Sequence, residues 1–280
     1  MMAREIEIRR IEELDEIDKL IEVQQQIWGF EALNITAPEL IVVHSKLGGV
    51  VLGAFNEAGA MVGFVYSFPA EKGGEMMQWS HMLAVLPDYR GMGLGKRLKW
   101  RQREETLKRE MDLCCWTFDP LQTVISRFNI VSLGARANEY IVNAYGMRNG
   151  NFDAGLPTDR LVARWDLNHQ RVLDCIDGHP RRAAADPQAA KCALQAVDNK
   201  GIIVPSRPDT GIDCDLVSLD VPAGMNRLRK ANLDASMAWR EATREVFTAY
   251  FKRGYYLVDI LTLAEAGNET FLYILRKEKS

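Results

Sequence analysis

The chain has 280 residues, 47% of them hydrophobic and 26% charged, enough to bury a sizeable core in one large or two modest domains. Its 35 basic and 38 acidic residues leave a net charge of −3, which excludes a global basic field for nucleic acid or an anionic membrane; any anion site must be built locally. The start, MMAREIEIRR, is charged from Arg4 and no segment reaches about 18 uninterrupted apolar residues, so the expected location is cytoplasmic, with no membrane span. Five cysteines include the adjacent Cys114 and Cys115, against a disulfide framework, and the four histidines have no zinc-like spacing, so no metal is expected.

In chain order, REIEIRRI alternates as a strand does, and EELDEIDKLIEVQQQIWG places Leu14, Ile17, Ile21 and Ile27 near helical spacing before Gly29. PELIVVHSKLGG reads as a second helix with proline near its start and glycines at its end. VVLGAFNE and MVGFVYSFPA form a hairpin around NEAGA, and MMQWSHMLAVL is a third strand, ended by Pro87. A glycine loop then opens the helix GKRLKWRQREETLKREM, and DLCCWTF is the next strand. Residues 121–133 fit a helix, and ANEYIVNAYG and TDRLVARWDL fit strands. The expected class is α/β, an α+β mixed sheet covered by helices.

Beyond Asn168 the texture becomes rich in Pro, Gly, Ala and charge. The expected organisation is residues 1–167 as one domain, 168–213 as a linker with a short helix, and 214–280 as a β-α-β-β unit. In that unit DLVSLDVPA is a strand, residues 226–252 are a helix with Leu228, Ala231, Ala235, Ala238, Ala242, Val246 and Ala249 on one face, and YYLVDILTLA and TFLYILRKE are a hairpin.

The segment LAVLPDYRGMGLGKRL carries the most chemistry. A strand followed by a glycine loop and a helix turns unpaired amides and about half a positive macrodipole charge toward one point, which suits phosphate. Glycine allows close approach and positive φ. Between Tyr89 and Arg103 stand six basic residues, Arg90, Lys96, Arg97, Lys99, Arg101 and Arg103, and no acid. A P-loop needs Ser or Thr after its lysine, and Lys96 is followed by Arg97; a dinucleotide GxGxxG after Gly91 and Gly93 would need glycine where Lys96 stands. A glycine-rich turn before a solvated basic helix is the plain alternative.

The pattern that fits is Arg-x-x-Gly-x-Gly, Arg90 to Gly95, after LAVLP. Here the chain resembles the GNAT acyltransferase superfamily, which includes N-acetyltransferases, and within it the stand-alone predicted acyltransferases. The resemblance spans roughly residues 3–167. It implies the GNAT acyl-CoA N-acyltransferase fold with a smaller C-terminal unit, and acetyl-CoA or another acyl-CoA such as succinyl-CoA as co-substrate. It implies that Arg90, Gly91, Met92, Gly93, Leu94, Gly95 and Lys96 hold the pyrophosphate through their amides. The backbone of Leu83, Ala84 and Val85 would pair with the pantetheine arm.

Transfer to an amine needs a neutral nucleophile, and removing a proton from a lysine-like amine at pH 7 costs about 4 to 5 kcal/mol. His81 on the strand before the loop is the candidate base, with a core histidine as the plain alternative. His81-Met82-Leu83-Ala84-Val85 resembles the second half of the His-x-His-x-Leu-Ala-Val strand of arylalkylamine N-acetyltransferases, with Trp79 in place of the first histidine. The superfamily's thiolate-protonating tyrosine would fall at Ile130 when Gly134-Ala135 is aligned with its Gly-Phe pair. Ser126, Asn129, Tyr140 and Tyr145 are close in sequence but unmatched.

Trp28 and Phe30 lie where the superfamily lines its acceptor site, and either is equally well core. Asp119, at the end of the strand implied to splay from the CoA strand, could face an ammonium group or simply close a turn. Asp159 beside Arg160 suits local capping, and Arg240 or Arg244 could offer a carboxylate-bearing acceptor its partner. The expected function is transfer of an acyl group to a primary amine of a small molecule, amino acids included, by direct attack on the thioester. The alternative is a non-catalytic CoA-binding or regulatory module, and a homodimer is open in either case.

Overall fold

The computed structural model describes residues 5–11, 13–29, 35–146, 155–180, 189–265 and 268–278, with the side chains of 264, 265, 268 and 269 left aside. The chain forms two compact units. The first comprises residues 1–116 and 166–169, the second 117–165 and 170–280.

The first unit runs β1 (Ile6–Arg10), α1 (Leu14–Trp28), α2 (Pro38–Lys46), β2 (Val50–Asn56), β3 (Met61–Lys72), β4 (Glu75–Val85), α3 (Leu94–Leu107) and β5 (Leu113–Phe118), whose last two residues belong to the second unit. Its strands lie in the order β1-β2-β3-β4-β5; the first four are mutually antiparallel, and β5 joins β4 in parallel. Residues of β2 and β3 alternate between opposite faces, apart from a one-residue bulge at Val62 that shifts the register. Val50, Leu52, Ala54, Val62 and Val65 meet Leu94 and Leu98 of α3. Val51, Phe55, Met61, Phe64 and Tyr66 meet Ile17, Leu20, Val23 and Ile41 of α1 and α2. Helices on both faces explain why VVLGAFN and MVGFVYS are buried almost without interruption.

Local chemistry sets the ends. Gly29 closes α1 in the left-handed region, its amide bonding the Gln25 carbonyl, and Pro38 opens α2. At Gly49 a Cβ would lie 2.6 Å from the His44 carbonyl oxygen and 2.7 Å from that of Ser67, so only glycine lets the end of α2 come this close to β3.

The second unit contains α4 (Thr123–Arg127), which continues into a π-helical turn over Phe128–Ser132, then β6 (Arg136–Ile141), β7 (Arg160–Asp166) and α5 (Gln170–Ile176). There follow β8 (Lys191–Leu194), β9 (Ala196–Asn199), β10 (Ile202–Pro205), β11 (Leu216–Pro222), α6 (Met225–Ala231), α7 (Leu233–Lys252), β12 (Tyr255–Glu265) and β13 (Asn268–Lys277). Where one helix is expected over 226–252 the structure has two. Asn232 is extended, with φ −153°, and its side chain accepts the Ala235 amide, which starts a new helix. The stretch expected as a linker holds α5 and three short strands; the part of GHPRRAAADPQAAK from 181 to 188 lies outside the described residues.

Candidate active site

The glycine loop joins the end of β4 to α3. Pro87–Tyr89 make one 3-10 turn, in which the Arg90 amide bonds the Pro87 carbonyl, so that amide is already committed. Gly91 and Gly93 both have φ +75°, and a Cβ on either would enter open space. Gly93 is also the N-cap of α3, with no side-chain cap. The first intrahelical bond runs from the Arg97 amide to the Gly93 carbonyl, so the Leu94, Gly95 and Lys96 amides belong to the first turn, ahead of the intrahelical ladder. The loop thus offers a concave run of backbone donors at the positive end of a 14-residue helix. Gly95 sits inside the first helical turn, so two of the three glycines supply the left-handed backbone.

The six cations around the loop do not act as one cluster. Arg90 is exposed and its Nε donates to the Val85 carbonyl at 3.0 Å. Lys96 lies beside the loop, with Nζ 5.7 Å from the Trp100 ring centroid. Arg97 reaches the Ile6 carbonyl, Arg103 the Leu167 carbonyl, and Arg101 pairs with Glu104 and Glu105. Lys99 turns inward and is 2% exposed, against the plain alternative of a solvated basic helix.

Lys99 marks a polar cluster that sequence reading missed. Its Nζ donates to Ser80 Oγ at 3.1 Å and Gln102 Oε1 at 2.6 Å and lies 3.7 Å from the Trp116 ring centroid. Burial drives its pKa down to about 8 against the opposing pull of Cys114 and Cys115. Ser80 and Gln102 are buried with it. The one sequence signal was position: Lys99 follows the buried Leu98 and faces the sheet one turn after Gly95.

Among the described residues β4 and β5 are paired at Gln78 with Cys114 and Trp79 with Cys115. From Ser80 onward β4 continues to Val85 along β3, opposite Gly63, Phe64 and Val65, with no pairing to β5 among the described residues. Along this stretch β4 is paired to β3 alone among the described residues, and the Val85 carbonyl accepts from Arg90 Nε. Gly63 lets β3 approach β4 closely here, since a Cβ there would lie 2.7 Å from the Ala84 carbonyl oxygen.

His81 is the extra residue of a β-bulge: Tyr66 pairs with Met82 and Ser67 with Ser80, leaving His81 unopposed. Bulges re-aim a side chain and increase local twist. The residue is exposed as a whole, yet its ring stands edge-on to Tyr66, centroids 5.8 Å apart, and 6.0 Å from Phe68. Shielding by these rings, with the His44 imidazole second, lowers its pKa from the ordinary value. His44 lies 4.5 Å from Phe68 and its Nδ1 hydrogen-bonds the Tyr66 hydroxyl. Burial pushes that hydroxyl up to about 12. Trp28 is half-buried, edge-on to Phe64 at 6.2 Å, and packs on the α1–α2 core; Phe30 lies outside the described residues.

The remaining candidates belong to the second unit, and protein partners occupy them. Both carboxylate oxygens of Asp119 accept from Arg240, at 2.7 and 2.9 Å, and Oδ1 also accepts the Leu121 amide at 2.9 Å. Both side chains are buried and their charges are committed to each other. Arg244 and the Tyr140 hydroxyl both donate to Asp159. Arg160 donates to the Asp159 carbonyl, Tyr145 bonds Thr117, Ser126 donates to the Asp119 carbonyl, and Asn129 and Ile130 are buried. No helix among the described residues is long and apolar enough to cross a membrane, and these residues hold no group of three metal-ligating side chains.

Residues 12–118 match the family model described as Acetyltransferase (GNAT) family. This segment, which holds the glycine loop and the bulged strand on a mixed α/β sheet, is similar to the GNAT acetyltransferases, a family that implies acyl-CoA-dependent acetyl transfer. Among solved structures, the chain is similar to the ribosomal-protein-S18-alanine N-acetyltransferase from Escherichia coli, with 16% identity, covering 59% of this chain and 96% of that one at a TM-score of 0.47. It is also similar to yncA from Salmonella typhimurium, solved with its cofactor acetyl-CoA, with 16% identity, coverage of 65% and 99%, and a TM-score of 0.48. An acetyltransferase of the GNAT family from Staphylococcus aureus gives 19% identity, coverage of 59% and 100%, and a TM-score of 0.42. The sequence matches no curated protein.

Proposed function

We propose that the protein is an acyl-CoA-dependent N-acyltransferase that moves an acetyl or larger acyl group to a primary amine of a small molecule, amino acids among the acceptors. The observation that carries this reading is the glycine loop: two left-handed glycines open to solvent, followed directly by the first turn of α3, at the end of a strand paired to β3. The amides from Gly91 to Lys96 suit a pyrophosphate, with Arg90 and Lys96 as flanking cations, and the backbone of Leu83, Ala84 and Val85 is assigned to an amide-bearing arm, for which Arg90 would release the Val85 carbonyl. When bound, acyl-CoA supplies the activated thioester carbonyl.

His81 then takes the proton. An acceptor amine positioned beside its imidazole loses a proton to it, and the amine lone pair forms the C–N bond while the C–S pair leaves with sulfur. A thiolate, with a reference pKa of about 8.5, needs little help to leave, so Ile130 in place of an acid is compatible with turnover. Trp28 is assigned to the wall of the acceptor side. Asp119 is withdrawn from that role, because Arg240 holds it. We assign residues 1–167 to acyl-CoA binding and catalysis, with 168–213 connecting them to the 214–280 unit. We place the protein in the cytosol, a reducing compartment that suits five cysteines outside any disulfide.

The test is thermal unfolding with CoA, acetyl-CoA and succinyl-CoA, followed by mass spectrometry of an amine panel incubated with the best stabiliser. A ligand at 100 times its Kd adds about 2.7 kcal/mol. Stabilisation together with an acylated amine supports the reading. Stabilisation with no product from any amine favours a CoA-binding regulatory module, and no stabilisation by any of the three removes both.

A further inference from the structure

The first unit carries a second concavity, apart from the glycine loop. A cavity of about 430 Å³ opens where the end of β1, the start of α1 and the end of α2 meet over β2. That volume lies within the range of about 300–1,000 Å³ in which proteins enclose small molecules. The glycine loop and α3 serve the sheet face that carries Val50 and Leu52, whereas the cavity lies on the other face, against Val51. Ile11, Ile17, Ile41 and Val51 form its base, and each is at most 6% exposed. Local bonds fix that base before any ligand enters. The Ile11 amide bonds the Val51 carbonyl at 3.1 Å, and Arg9 donates to both the Arg10 carbonyl and Glu16, which ties the end of β1 to α1. Leu14, also on the wall, is 71% exposed, an apolar side chain at the opening.

Charge selects the occupant. Among the described residues on the wall the two charged ones, Arg10 and Lys46, are both cations, and Ser45 adds a hydroxyl next to Lys46. α1 starts and α2 ends at this wall, so their backbone dipoles bring opposite half-charges and the side chains decide the sign. Glu13 and Asp15 at the start of α1 are exposed and do not line the cavity. A carboxylate here meets two opposite charges, and an ammonium meets two like ones. We propose that this cavity binds a small carboxylate with a branched aliphatic or aromatic body. The apolar body rests on Ile11, Ile17, Ile41 and Val51, and the carboxylate lies between Arg10 and Lys46. Burying the body removes apolar area from water, while the charge stays at the rim, where a guanidinium offers a carboxylate two parallel donors. The occupant has neither an amine nor a thioester, so the proposal goes beyond the acyl-transfer reading and stands without it.

The test is isothermal calorimetry of the full chain with isovalerate and phenylacetate, each beside its neutral amide, with and without saturating CoA. Both acids bind at millimolar concentration or below, roughly tenfold tighter than their amides, and CoA leaves their Kd unchanged. Arg10→Gln and Lys46→Gln each weaken the acids by about tenfold, the scale of one charge-assisted contact. Val42→Trp fills the cavity from α2 and abolishes their binding. Lys46 is exposed, so Lys46→Gln with an unchanged melting temperature guards against a fold defect in the other two variants. The proposal is overturned by acids that do not bind, that bind no tighter than their amides, or that CoA displaces. Wild-type affinity in both Arg10→Gln and Lys46→Gln overturns it as well. A chain that binds the acids and fails to bind CoA removes the acyl-transfer reading and supports this one.

Discussion

At the scale of single residues, the account rests on two buried or shielded bases whose surroundings the sequence does not display. His81 must be neutral to take a proton, and its shielding among rings lowers its pKa, so the acid limb of kcat/KM is expected below the ordinary histidine value of about 6.5. His81→Gln is expected to lower turnover by about 100-fold or more while leaving the Kd for CoA unchanged, measured by steady-state kinetics and calorimetry. Lys99 has a different consequence. Its folded pKa of about 8 lies below the unfolded value of about 10.4, so the folded state carries a penalty below pH 8 that is relieved as pH rises through 8 to 10. The full penalty corresponds to about 3 kcal/mol. Lys99→Met is therefore expected to gain stability relative to wild type at pH 7 and to lose that relative gain by pH 10, read from urea midpoints at both values; a pH-independent difference contradicts the assignment. The lysine was legible as a cation but not as a buried one, because its compensation comes from Ser80 and Trp116, which are distant in sequence.

At the scale of elements, the strand–loop–helix unit was legible almost in full. Pro87, the glycines and the apolar run LAVL fix where β4 ends and α3 begins, since each acts through local backbone preference. The bulge at His81 was not legible: a one-residue register shift depends on the partner strand β3, which no local pattern in HMLAV reports. The break at Asn232 was missed for the opposite reason, as the alanine-rich face continued across it while the side chain offered a better cap. Gly93→Val supplies the test for the loop. It costs about 1–2 kcal/mol in backbone strain and places a branched side chain where the pyrophosphate is assigned. Gly59→Val is the control, because Gly59 has a nearly equal φ of +73° and the same open surroundings in the β2–β3 turn. Equal losses of stability are expected from the two, with CoA affinity falling at least tenfold in Gly93→Val only. Equal affinities in both variants remove the loop from the site.

At the scale of the whole molecule, composition and packing divide the chain at different places. The change of texture near Asn168 reports where loops become frequent, whereas the compact units are divided between Trp116 and Thr117, inside the apolar strand LCCWTF. No composition shift marks that point, and a boundary within a strand cannot be read from turn residues. The same blindness hid the fate of Asp119, a turn carboxylate in sequence that is closed by Arg240 from 121 positions away. Asp119→Ala leaves that arginine buried without its carboxylate and is expected to destabilise the second unit by about 3–5 kcal/mol, with Arg240→Leu added to it restoring part of the loss in denaturant unfolding. An additive double variant contradicts a structural pair. The central claim is tested most directly by following thiol release from acetyl-CoA by the full chain as primary amines are added in turn. The account predicts release that depends on an amine, saturates with it and is lost in His81→Gln. Acetyl-CoA that binds but yields no amine-dependent thiol with any acceptor contradicts it.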